Sequence, residues 1–145
     1  MNPLPLVLIT FFGGLAATIQ PSINARLAQK IGLIESAFVS FFVGTMVLLV
    51  IALSTPGGDL RAIPAARWWE LTGGFLGALF VATTILAVPR IGTTATMAII
   101  ITAQLSMGMV LDHFGFFGMR NIPLEPRRLA GVALLALGVV LILRR

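Results

Sequence analysis

The sequence predicts an all-α integral membrane fold with five transmembrane helices. Three observations carry this. Of 145 residues, 58% are apolar and only 10% charged, against about 45–50% and about 25% in soluble domains. Five apolar runs are each close to the roughly 20 residues that a helix needs to cross a bilayer. The runs are continuously apolar and do not alternate, which argues against a β-barrel. Ten Lys/Arg and five Asp/Glu cannot cover a soluble globule of this size, so a soluble enzyme is excluded. A disordered chain is excluded too, because it would be poor in apolar residues.

The expected spans are 3–25, 36–55, 69–88, 91–111 and 127–143, in one five-helix domain covering 1–145. The first lacks Lys or Arg ahead of its apolar run and lacks a small-x-small cleavage site, so it reads as a retained helix. Gly32 follows it. Pro56-Gly57-Gly58-Asp59 ends the second span and Pro64 precedes the third. Trp68 and Trp69 open the third and suit an interfacial anchor. Pro89-Arg90-Ile91-Gly92 separates the third and fourth so tightly that a helical hairpin is expected. Gly115, Gly118 and Pro123 fill the next connection, and Pro126 suits the first turn of the last helix. That helix is short, and flanking arginines can snorkel outward from it. No short repeat is evident.

The net charge of +5 is not a nucleic-acid signal, because basic residues occur singly or in pairs between apolar runs. With five spans the termini lie on opposite sides of the membrane. Arg61, Arg67, Arg120, Arg127 and Arg128 then share the N-terminal side, and Arg26, Lys30, Arg90, Arg144 and Arg145 the other. Five against five gives the positive-inside rule no vote. Either the chain inserts both ways and pairs antiparallel, or the tie is accidental and a partner sets orientation. An odd number of spans suits one repeat of an inverted-repeat transporter completed by a second copy.

The residues able to carry chemistry are few. Thr10, Gly13, Ala17, Gln20 and Asn24 share one face of the first helix. Gln20 and Asn24 are candidate substrate-binding residues; the competing reading is that they hydrogen-bond a neighbouring helix. Pro21 between them is a candidate hinge. Gly73-x-x-x-Gly77 reads as a helix-packing motif. Thr93, Thr96, Ile100 and Gln104 share a face of the fourth helix, which makes Gln104 the third candidate substrate contact. Glu70 and Asp112 are the candidates for proton coupling or gating, although Asp112 and His113 read first as a solvated helix end. No ionisable residue lies in the middle of a span, which makes proton coupling doubtful. With one histidine and no cysteine, no metal site and no cofactor is expected.

Several motifs then resemble a known family. They are Gln20-Pro21-Ser22-Ile23-Asn24-Ala25-Arg26-Leu27, Ser40-Phe41-Phe42-Val43-Gly44-Thr45, and Trp68-Trp69 with Gly73-Gly74. Ala87-Val88-Pro89-Arg90-Ile91-Gly92 and Gln104 with Asp112-His113-Phe114-Gly115 continue the series. Together they resemble the YdcZ family of the drug/metabolite transporter superfamily. The resemblance implies a five-helix unit equal to half of an EamA-like inverted-repeat transporter. It also implies a bacterial inner-membrane, multi-pass location and no enzymatic activity. Such units resemble dual-topology single genes, oppositely oriented gene pairs or fused copies. The expectation is therefore a small-solute transporter working as an antiparallel homodimer, or as a heterodimer with a related five-helix chain, by alternating access. A dimeric ion channel and a non-transporting membrane assembly protein are the alternatives.

Overall fold

A computed structural model describes residues 3–118 and 121–144. Arg120 and Arg145, two of the ten basic residues weighed above, lie outside the described residues. The helices are α1 (Leu4–Ile31), α2 (Leu33–Ser54), α3 (Gly73–Ile91), α4 (Thr93–Phe114) and α5 (Pro126–Leu143). Each is long and apolar enough to span a membrane, α3 with the Trp68–Leu71 turn that precedes it.

The helix ends differ from expectation for physical reasons. α1 runs through Pro21 and on to Ile31, because Arg26, Gln29 and Lys30 continue the helix past its apolar part. Arg26 donates to Gln29 Oε1 at 2.9 Å on this extension. The expected Pro89–Gly92 turn shrinks to Gly92 alone. α3 passes through Pro89, and the Arg90 guanidinium donates to the Leu86 carbonyl at 2.6 Å, satisfying one of the last-turn acceptors. The Trp68–Leu71 segment is a separate 3-10 turn and not the first turn of α3.

One residue each separates α1 from α2 and α3 from α4. Gly32 has φ 102° and ψ 160°, and Gly92 has φ 84° and ψ 158°. This backbone region is open essentially to glycine alone. The Gly32 N–H closes α1 on the Ala28 carbonyl, while its own carbonyl accepts from Ser36 N and starts α2.

The described chain divides into two compact units, one through Arg90 and one from Ile91. In the first, α1 and α2 pack as an antiparallel pair. Ser36 is fully buried and donates to the Asn24 carbonyl at 2.7 Å. Buried Ala25 and Ala37 keep side-chain bulk small there. α3 joins through Val81 and Ile85, which pack with Ala37, Ala28 and Leu33. In the second unit α4 packs against α5, and Asp112 pairs with Arg128 at 2.6 Å. The Asp112 carbonyl also accepts from Ile122 N at 2.8 Å, tying down the connection. Large apolar side chains such as Leu6, Ile9 and Leu53 stay more than two-thirds exposed, as lipid-facing residues do.

A long repeat appears once burial is laid on the sequence. Gly13-Gly14 recurs as Gly73-Gly74, and Lys30-Ile31-Gly32 as Arg90-Ile91-Gly92, sixty positions later. The burial pattern of 21–34 recurs position for position in 81–94. Buried Asn24 and Ser36 correspond to buried Thr84 and Thr96. Side-chain identity has diverged too far for the period to show in the apolar runs themselves.

Gly32→Ala and Gly92→Ala are each expected to destabilise the protein by about 1–3 kcal/mol, since both force a side chain into a glycine-only conformation. Gly32→Ala is expected to cost more, because its Cβ would also meet the Glu35 carboxylate, while nothing stands near Gly92. Gly13→Ala, facing open space, is the neutral control. Unfolding in mixed SDS micelles, followed by circular dichroism, checks the order.

Candidate functional site

The polar groups of the first unit converge in a cleft between α1 and α2. Residues four apart on a helix lie on one face, so Gln20 and Asn24 look the same way. On α2 the series Ser36, Ser40, Gly44 does the same. The antiparallel register sets Asn24 against Ser36 and Gln20 near Ser40. Gln20 Nε2 donates to Ser40 Oγ at 3.3 Å, and Asn24 Nδ2 donates to the same oxygen at 3.1 Å. A cavity of about 170 Å³ opens here, lined by Gln20, Ser40, Phe41, Gly44, Thr45 and Leu48.

The chemistry of the cleft follows from this bonding. A serine hydroxyl offers two acceptor lone pairs and one donor proton. Both lone pairs of Ser40 serve the amides, which leaves its proton. Among the described residues, the amide oxygens of Gln20 and Asn24 accept no hydrogen bond. The cleft therefore presents amide oxygens as acceptors and, as donors, the Ser40 and Thr45 hydroxyls and the second N–H of each amide, and its lining carries no charge. Asn24 is buried, whereas Gln20 is exposed at the cavity. Gln20 lies 16 residues into a 28-residue helix. At about 1.5 Å per residue that is near the middle of α1.

From sequence, Ser36 is only the first residue of the second expected span, and Ser40 enters only as the first residue of the α2 motif, with no contact assigned to either. The signal was present, because 36, 40 and 44 form a small-residue stripe on an otherwise Phe, Val and Leu helix. Only the pairing with α1 gives it meaning.

The remaining candidates are placed as follows. Pro21 is buried in α1, beside the cleft residues in sequence. Gln104 lies on α4 in the second unit, exposed and without a hydrogen-bond partner among the described residues. Gly73 faces open space, whereas Gly77 lies against the Phe41 ring. Glu70 Oε2 accepts from Arg67 N at 2.7 Å and so caps the Trp68–Leu71 turn. Asp112 is held by Arg128, each about one-third exposed, and not by the adjacent His113. Arg128 had been read as a snorkelling flank; α4–α5 packing makes it a partner. Among the described residues, Arg128 Nη1 and His113 Nδ1 are buried without a partner. Among the described residues no three His, Asp or Glu side chains gather as a metal site.

Comparison with known proteins adds the family. The family model described as "Putative inner membrane exporter, YdcZ" matches residues 5–141. The "Inner membrane protein YdcZ" of Escherichia coli (strain K12) is 29% identical over 137 residues, covering 91% of this chain and 90% of that protein. No solved structure matches. With nearly the whole chain inside the family model and five apolar helices to cross the bilayer, the protein belongs to the YdcZ family and is a multi-pass inner-membrane transport protein.

Proposed function

We propose that this protein moves a small solute across the inner membrane as an antiparallel dimer that alternates access between the two sides. The observation that carries this reading is the α1–α2 cleft, where Gln20 and Asn24, inside the apolar part of α1, converge on Ser40 without a charge in the lining. Uncharged amides in such a segment are costly unless bonded, and they mark solute paths in transporters. Gln20 and Asn24 make the first solute contacts in this proposal, and Gln104 of α4 supplies another. Pro21 serves as the hinge of α1, where the missing proline N–H leaves one helical hydrogen bond unmade.

Asp112 acts as a gate in this reading and not as the proton carrier. Its carboxylate already holds Arg128 at 2.6 Å across the α4–α5 pair, a contact that a gate can make and break. Glu70 is occupied in capping its turn, which leaves Asp112 the better candidate of the two. The antiparallel arrangement rests on the odd number of helices and the even division of basic residues. A second copy in the opposite orientation supplies the inverted repeat that one chain lacks.

Three outcomes test this. The chain has no cysteine, so a single one can report topology. Gly58→Cys, in the connection after α2 where a Cβ meets open space, is expected to react with a membrane-impermeant maleimide from both faces, in comparable amounts. Reaction from one face alone would falsify dual insertion. Adding Arg26→Gln and Lys30→Gln tips the basic count and is expected to put the N-terminal side in the cytoplasm.

A ligand found by thermal-shift screening of metabolites is expected to bind about two- to tenfold more weakly to Ser40→Ala and Asn24→Ala, the range of one ordinary hydrogen bond. Lipid-facing Leu53→Ala should leave it unchanged.

Asp112→Asn is expected to slow transport of that ligand in proteoliposomes without shifting its pH profile. A flattened profile would make Asp112 the proton carrier after all. The stability loss should stay near 0.2–1 kcal/mol, because the ion pair is partly exposed.

A further inference from the structure

The first unit holds two neighbouring cavities of opposite character. One is the cleft over Gln20 and Ser40. The other, of about 460 Å³, lies between α2 and α3 and is lined entirely by apolar residues, among them Phe38, Phe75, Leu79 and Ala82. Phe41 lines both. Its ring is seated on Gly77, where a Cβ would stand 3.2 Å from the ring Cζ and 3.5 Å from Cε1. Gly77 thus makes room for an aromatic ring, which would have to give by a few tenths of an ångström to a Cβ there. Phe41 is 37% exposed, so it is not locked in on all sides.

We propose that Phe41 is a movable partition and that the two cavities form one site for an amphipathic solute. The head donates to the amide oxygen of Gln20, and the apolar body lies in the α2–α3 groove. This rests on the cleft being a solute site, but not on any transport cycle. The head class follows from the lining. No carboxylate borders either cavity, so a cationic head would be desolvated without a counter-charge, at high cost. An uncharged donor such as a hydroxyl or primary amide fits. The body contributes fit more than drive, because moving an apolar chain from lipid to an apolar groove removes no water contact. Selectivity therefore sits at the head, and Phe41 decides whether head and body are bound together.

A diazirine-bearing octanol tests this on the full protein in nanodiscs, with adducts mapped by mass spectrometry. Labelling is expected on Phe75 or Leu79 in the groove. Unlabelled octanol should compete about two- to tenfold better than octyl methyl ether, which keeps the acceptor and loses the donor. Gln20→Ala is expected to erase that preference while groove labelling persists. Phe41→Ala should bring adducts to Thr45 or Leu48 on the cleft side. Gly77→Val should displace the ring and alter the ratio of groove to cleft adducts; if that variant does not fold, Phe41→Ala alone decides. Equal competition by alcohol and ether, or adducts as heavy on lipid-facing Leu6 and Phe12 as on Phe75, would overturn the proposal in favour of a groove filled by lipid. Labelling needs no turnover. Localised labelling in a protein that moves no solute would refute the transport reading and leave this one standing.

Discussion

In a bilayer, apolar faces are no better placed against each other than against lipid tails, so helix pairing needs another cause. Here the α1–α2 pair depends on close approach and on one buried hydrogen bond. Ala25 and Ala37 are small enough to let the helices meet. Ser36, fully buried, donates its proton to the Asn24 carbonyl across the interface. Gly32 makes this possible by reversing the chain within a single residue. The core formed by Ala37, Val81 and Ile85 then gathers α3 to the same end. Of the described α1 and α2 residues, the buried Asn24, Ala25, Ser36 and Ala37 all lie within about two helical turns of that glycine.

The same constraint shapes the cleft. An amide carried into the apolar part of a membrane helix must find a partner, and both Gln20 and Asn24 find it in one hydroxyl. Packing and recognition are therefore not rival uses of these residues. One N–H of each amide is spent on Ser40, which holds α1 to α2. Their carbonyl oxygens remain, and those are the groups a solute donor would meet. A typical interhelical hydrogen bond in a membrane is worth only about 0.6 kcal/mol, small enough for a solute to compete for the amide that makes it.

The sixty-residue repeat shows one backbone solution used twice with different side-chain chemistry. Gly32 and Gly92 share the same unusual conformation, and the burial around them is alike. The polar contacts are not. Ser36 donates across to the preceding helix, whereas Thr96 donates to the carbonyl of Gly92 at its own helix start. Asn24 carries an amide that reaches Ser40, while Thr84 spends its hydroxyl on the Val81 carbonyl. Within the repeat, then, an amide-bearing cleft belongs to the first copy.

The sequence alone determined the class and the number of helices, because a bilayer imposes length and apolarity residue by residue. Gln20 and Asn24 were legible for the same reason: a polar side chain stands out in an apolar run, and the spacing of four sets both on one face. Helix ends were less legible. Proline is a strong signal for a break, yet α1 and α3 pass through Pro21 and Pro89, and glycines with positive φ make the turns. What only the tertiary structure decided is pairing. Ser36 and Ser40 look like ordinary small residues until α1 lies against them. Asp112 looks like a solvated helix end until α5 brings Arg128 to it. Gly77 looks like a helix-packing glycine until the Phe41 ring is found on it. Each of these depends on a contact between residues far apart in the chain, and hydropathy and spacing along one helix carry no information about which helix comes to face it.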